Sequence, residues 1–236
     1  MSTFQFKQFS VDQSGCAMKI NTDGVLLGAL TEATEPQTIL DIGTGTGVIA
    51  LMLAQRFPGA EIDAIELDPK AAETAGKNFR NSLFAERLSI CHESFQQYFE
   101  INPAKKYDLI VSNPPFHIDS LKSSGAEREL AKHTDHSFFA DLTHYVSQHL
   151  SDTGTFWVIL PMKAAQLLKE LMHGTNLELA NTTGIHSFIA SEPHRELLAF
   201  NNKGSSENFE KFVIYYAEKE YSLQYKNALK EFFTIF

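Results

Sequence analysis

Residues 113–116 read Asn-Pro-Pro-Phe and follow Tyr107–Ser112, a run with the length and composition of a buried strand. Two consecutive prolines fix φ twice and remove two backbone N–H donors, so the strand must stop there. The turn leaves an amide side chain (Asn113), a free carbonyl (Pro114) and an aromatic face (Phe116) at the strand's carboxyl end. Two hydrogen bonds and one stacking contact could hold a flat nitrogenous group at such a turn. An exocyclic amine is a poor nucleophile because its lone pair is conjugated with the ring. Hydrogen bonds to the Asn113 side-chain oxygen and the Pro114 carbonyl would favour pyramidal geometry and localise that pair, and Phe116 would set the angle of attack. Such orientation and electrostatic effects lower a barrier by several kcal/mol without a strong base.

A second group of residues suggests what would react with that nitrogen. Asp41-Ile-Gly-Thr-Gly-Thr-Gly47 joins an apolar run to a helical pattern, and Gly43, Gly45 and Gly47 permit close ligand approach near a helix N-terminus. Glu66 ends the next apolar run, where a carboxylate can accept hydrogen bonds from ribose hydroxyls. A dinucleotide loop favours G-x-G-x-x-G, with a pyrophosphate on the helix terminus. Here the spacing is tighter and Asp41 would repel a pyrophosphate. S-adenosylmethionine carries no phosphate, and its ammonium and sulfonium centres favour a nearby carboxylate. Glu93 or Ser94, at the end of the third run, is placed to meet an adenine. Together the two motifs point to methyl transfer onto an amino or amide nitrogen. A purine within a helix cannot reach such a turn, so a nucleic-acid target must be looped or flipped out.

These residues need a sheet whose carboxyl ends converge. From about Thr38 to Leu160, short apolar runs (Thr38–Asp41, Glu61–Glu66, Leu88–Cys91, Tyr107–Ser112, Gly154–Leu160) alternate with helix-like stretches such as Val48–Phe57 and Pro69–Leu83. This pattern predicts βαβ units and a parallel sheet with ligands at the strands' carboxyl ends. Residues 1–37 are expected to cap one mouth of the sheet and 38–160 to form its cofactor-binding core. Residues 161–236 should add a helix (Ala164–His173), strands near Leu177–Ile189, Arg195–Asn201 and Phe209–Ala217, and a closing helix over Leu223–Phe236. No linker separates these parts, which predicts a single domain, expected to act as a monomer.

The 236 residues carry a net charge of −9, which excludes a general nucleic-acid coat and requires any RNA contact to be local and salt-sensitive. Two cysteines, Cys16 and Cys91, form neither a disulfide framework nor a metal spacing, as expected in a reducing, cytoplasmic setting. His133-Thr-Asp-His136 offers two histidines with no further ligand run, so no metal is expected. No apolar run is long enough to span a membrane.

The chain also resembles, over nearly its whole length, the bacterial methyltransferases that modify the 6-amino group of an adenosine beside the anticodon of valine tRNA. Phe6-Lys-Gln-Phe9, Ala17-Met-Lys19 and Thr22-Asp-Gly-Val-Leu-Leu-Gly28 resemble that family's opening block. Pro193-His-Arg195 with Leu197-Leu-Ala-Phe200 resembles its late segment, and Tyr221-Ser222 with the final aromatic stretch its ending. Phe116 stands where this family more often has Tyr, and Ser94 where Asp is expected. The resemblance implies an α/β, Rossmann-like methyltransferase fold: a seven-stranded, mostly parallel sheet with helices on both faces and an antiparallel edge. It also implies S-adenosylmethionine as cofactor and tRNA as partner, and makes Thr22 and Asp23 part of a cofactor lid, although a helix-capping turn is the alternative. The polar stretch His117–His136, with Lys122, Arg128 and Lys132, is either an RNA-contacting lid or a solvated loop. Since the Asn-Pro-Pro-aromatic turn also occurs in enzymes acting on guanine-amino groups and protein glutamine, those acceptors are the alternatives. A non-catalytic RNA-binding module on the same fold is a third.

Overall fold

The computed structural model describes residues 3–115, 125–202 and 207–236, with only the backbone described over 125–135. Nine strands among these form one sheet: β3 (Thr38–Ile42), β4 (Glu61–Glu66), β5 (Leu88–His92), β6 (Tyr107–Ser112), β7 (Leu150–Pro161), β8 (Glu178–Phe188), β9 (Pro193–Asn201), β10 (Asn208–Ala217) and β11 (Glu220–Tyr221). Their order is β11-β10-β8-β9-β7-β6-β3-β4-β5. A separate antiparallel hairpin, β1 (Thr3–Gln5) and β2 (Ser10–Asp12), precedes the first helix.

The sheet is mostly parallel, as expected, but wider than seven strands. Its main antiparallel member is also not at an edge. β9 turns back after β8 and inserts between β7 and β8, antiparallel to both, while β10 pairs with β8 in parallel and the two-residue β11 closes the far edge. Insertion buries Leu197–Phe200 on both faces. That continuous apolar run is what an interior strand requires.

Helices cover both faces. Against one face lie α1 (Thr22–Leu30), α2 (Val48–Arg56), α3 (Pro69–Arg80) and α7 (Leu223–Leu229), meeting Ile39, Leu109 and Val111 of the sheet. Against the other lie α4 (Phe95–Ile101), α5 (Gly125–His149) and α6 (Met162–Met172), meeting Leu40, Ile110 and Phe156. The cap residues behave as their types dictate. Asp68 accepts from the Ala71 backbone N–H (2.8 Å) with Pro69 at the helix start, and Ser222 accepts from Tyr225 N–H (3.0 Å).

Two helix boundaries differ from the sequence reading. The polar stretch expected as a loop over His117–His136 is helical from Gly125 onward. Ala126-Glu-Arg-Glu-Leu-Ala-Lys132 is rich in strong helix formers, and Phe139, Leu142 and Val146 bury one stripe further along. The closing helix ends at Leu229 instead of running to Phe236. Beyond it, Phe233 bridges to Phe6 and packs its ring 5.7 Å from that residue's, so aromatic docking onto the amino-terminal hairpin ends the helix.

Candidate active site

The turn after β3 is built on left-handed glycines: φ is +73° at Gly43, +58° at Gly45 and +81° at Gly47. The glycines serve different ends. A Cβ at Gly47 would lie 2.5 Å from the Phe79 ring, so this position lets α3 pack against the start of α2. Cβ atoms at Gly43 and Gly45 would meet nothing within 4 Å; there the missing side chains leave space for a ligand. Gly43 and Thr44 donate backbone N–H to the Ile65 carbonyl (2.9 and 3.0 Å), which fastens the turn to the end of β4.

Glu66 is held by backbone donors on both oxygens, Oε2 from Gly45 N–H (2.8 Å) and Oε1 from Asp68 N–H (2.9 Å). Each carboxylate oxygen has a second lone pair, so the group can still accept hydroxyl donors. Asp41 is fully buried. Its Oδ2 accepts from the Thr44 hydroxyl (2.6 Å), whereas Oδ1 has no partner. Burial pushes its carboxyl up to about 7, only partly opposed by the Thr44 hydroxyl and the Ala50 backbone N–H. A buried oxygen with no donor, beside an open glycine turn, is suited to a cationic ligand.

Asn113 and Pro114 follow β6, whose register with β3 sets Ser112 opposite Ile42. The Ser112 hydroxyl donates to the Ile42 carbonyl (2.9 Å), tying the acceptor turn to the glycine turn. Asn113 is half-buried and Pro114 buried. One cleft of about 400 Å³ is lined by Gly43, Gly45, Glu66, Glu93, Ser94, Asn113 and Pro114, among others. That volume lies within the ~300–1,000 Å³ usual for small-molecule sites. The structure therefore brings the two motifs to one cavity across 70 residues of sequence.

Not every expected residue reaches that cleft. Asp41 is fully buried and does not line it, and Gly47 serves packing. Thr22 and Asp23 are not among its lining residues. Thr22 opens α1 behind the N-cap Asn21, whose side chain accepts from Gly24 N–H (2.9 Å), and Asp23 accepts from Arg195 Nε at 2.8 Å. The helix start is thus capped by Asn21, with Thr22 and Asp23 beside the cleft's lining rather than in it. Ser94 lines the cleft while its hydroxyl caps α4, accepting from Gln97 N–H (3.2 Å), which leaves Glu93 the freer acceptor. Phe116 and Lys122 lie outside the described residues. Arg128 and Lys132 fall on α5, where only the backbone is described.

The sequence reading missed Cys16, Met18, Leu67, Phe95 and Phe138, all of which line the cleft. Leu67 had a usable signal. It is a large apolar residue directly after the strand-ending Glu66, and it is 67% exposed, as a cover for a ligand's apolar face would be. Burial pushes the Cys16 thiol up, keeping it protonated at neutral pH. Among the described residues, no cluster of three or more His, Cys, Asp or Glu is arranged to hold a metal, and no helix is long and apolar enough to cross a membrane.

A doubly wound sheet with a glycine turn after its first strand, an acid after its second and an Asn-Pro-Pro turn after its fourth defines a methyltransferase. The family model described as the methyltransferase small domain matches residues 18–185. A relative from Pedobacter heparinus, described as a tRNA1(Val) (adenine(37)-N6)-methyltransferase, is 46% identical over 235 residues, covering 100% of this chain and 99% of its own length. A Bacteroides fragilis protein with the same description is 40% identical over 230 residues, covering 98% and 97%. A crystal structure from Agrobacterium tumefaciens, described as a predicted O-methyltransferase, matches with a TM-score of 0.67 at 16% identity over 89% of this chain and 96% of its own, a likeness of fold. The chain belongs to the methyltransferase small domain family, within the group of these tRNA1(Val) (adenine(37)-N6)-methyltransferases.

Proposed function

We propose that the protein transfers the methyl group of S-adenosylmethionine to the exocyclic 6-amino group of an adenosine in tRNA, beside the anticodon of valine tRNA. The observation that carries this reading is the single cleft shared by the open glycine turn, Glu66 and the Asn113–Pro114 turn. The choice of adenine in tRNA rests on the full-length relatives of that description.

The residues present fit the cofactor. Glu66 would accept from its ribose hydroxyls, Gly43 and Gly45 would give it backbone approach, the buried Asp41 beside the glycine turn would favour its positive charge, and Glu93, Ser94 and Leu67 would meet its adenine. When bound, S-adenosylmethionine supplies an electrophilic methyl group on a sulfonium. The chain's own work is on the acceptor. The Asn113 side-chain oxygen and Pro114 carbonyl would accept hydrogen bonds from the two amine N–H groups, which orients the nitrogen and localises its lone pair. Phe116 is assigned the stacking face. The half-buried position of Asn113 excludes much of the water that would compete for the same hydrogen bonds. Once methylated, the nitrogen is strongly acidic and gives its proton to solvent, so no strong base is needed in the cleft. Lys122, Arg128 and Lys132 are proposed to meet RNA phosphates.

Incubation with labelled cofactor and total RNA from a strain lacking the protein, followed by digestion to nucleosides, tests the proposal. Label in N6-methyladenosine of valine tRNA is expected. Label in guanosine or in protein would assign the other acceptors, and no turnover at all would leave a binding module.

A further inference from the structure

Asp23 and Arg195 are separated by 172 residues, yet the Asp23 carboxylate accepts from Arg195 Nε at 2.8 Å. Arg195 sits on the antiparallel β9, opposite Pro161 at the carboxyl end of β7 and Ile185 near that of β8. The pair therefore joins the inserted strand to the first turn of α1. Both side chains are mostly shielded, 26% and 16% exposed, so the contact is stiffer than a surface ion pair. Arg195 Nη1 also donates to the His194 carbonyl (2.9 Å), which fixes the guanidinium from its own strand.

That first turn lies alongside the acceptor amide. A Cβ built on Gly24 would stand 3.7 Å from Asn113 Nδ2 and 3.6 Å from the Asn21 side-chain oxygen, both ordinary contact distances. The backbone next to Asp23 is thus one flank of the pocket in which the Asn113 amide must keep its orientation. Neither Asp23 nor Arg195 lines the cofactor cleft.

We infer that Asp23 and Arg195 are a positioning pair: Arg195 anchors the first turn of α1 so that it holds the Asn113 amide in its productive orientation. This rests on the reading of Asn113 as the acceptor clamp. The pair acts on turnover and not on the cofactor, since a displacement of about 1 Å at a reacting group can lower turnover ~100-fold.

The test uses the full chain with Asp23→Asn, Arg195→Gln, the double variant, the exchanged pair Asp23→Arg with Arg195→Asp, and the conservative Arg195→Lys. Each single variant should lower kcat on tRNA by about 10- to 100-fold, with cofactor affinity by calorimetry within twofold. The double variant should lose no more than the worse single one, because both break the same contact. The exchanged pair or Arg195→Lys should recover part of the loss. A parallel loss of cofactor affinity and kcat would make Asp23 a cofactor residue and overturn the inference, as would unchanged kcat. A second readout needs no substrate. In protein labelled with 15N-asparagine, the side-chain amide signal of Asn113, assigned by its loss in Asn113→Asp, should shift or broaden in Arg195→Gln. If wild-type protein does not methylate tRNA, the proposed function fails by itself. The Asn113 signal then decides this inference alone, and an unmoved signal overturns it.

Discussion

At the scale of residues, two side chains divide the labour of the site. In the proposed function Asn113 orients the acceptor, so Asn113→Ala is expected to lower methyl transfer by at least ~100-fold while cofactor affinity stays within twofold, measured by turnover and calorimetry. Equal loss of both would show that Asn113 supports the fold of the cleft. In the same proposal Asp41 favours the cofactor's positive charge, and its titration gives a directional pH effect. Its ordinary value is 3.8, and burial pushes it up to about 7. Between those values the native chain keeps a proton that the unfolded chain has released, so this residue makes the protein less stable as pH rises through that window. Asp41→Asn should flatten that dependence in thermal melts from about pH 4 to 7. A cation placed against Asp41 favours the ionised form. Affinity for S-adenosylmethionine should therefore rise as pH passes about 7, with proton release seen by calorimetry in buffers of different ionisation enthalpy. The same titration of Asp41→Asn should be flat.

At the scale of elements, the turn between β3 and α2, residues 43–47, combines a packing glycine with open ones that the proposed function assigns to binding. Gly47→Ala meets two penalties, about 1–2 kcal/mol for a left-handed backbone and about 1–3 kcal/mol for overpacking the Phe79 ring. Gly45→Ala meets the backbone penalty alone, because its methyl would enter open space. Gly47→Ala should thus show the larger drop in denaturant midpoint. Gly45→Ala should stay folded but lose cofactor affinity, its methyl occupying the cleft. Reversed ranks in urea melts would contradict this division. Which glycine served which purpose was not legible from the sequence. The G-x-G-x-G spacing marks the turn, but Phe79 lies 32 residues downstream and only the packing of α3 brings it to Gly47.

At the scale of the whole molecule, a chain of net charge −9 has to bind a polyanion. Affinity then rests on few contacts. If three phosphates are met by Lys122, Arg128 and Lys132, raising monovalent salt from about 50 to 200 mM should weaken RNA binding about 20-fold. Cofactor affinity should be unmoved, and the two are separated by measuring KM for tRNA and calorimetric Kd for the cofactor over the same series. A salt-independent KM for RNA would place recognition in stacking and shape instead.

The sequence by itself determined the βαβ core and its reactive ends. Parallel strands buried on both faces leave apolar runs such as Leu109-Ile-Val111, and glycine and proline mark where each run stops, so motif and strand end coincide in the chain. Only the tertiary structure decided how distant pieces meet. Nothing local to Pro193–Asn201 says that it inserts antiparallel between β7 and β8, because strand order depends on which partners bury both of its faces. The same insertion carries Arg195 to Asp23, in the first turn of a helix that Asn21 caps and that flanks Asn113. Local rules fix a turn or a helix end within a few residues. The partner of a buried charge is fixed by the fold, since desolvation makes leaving it unpaired the costlier choice.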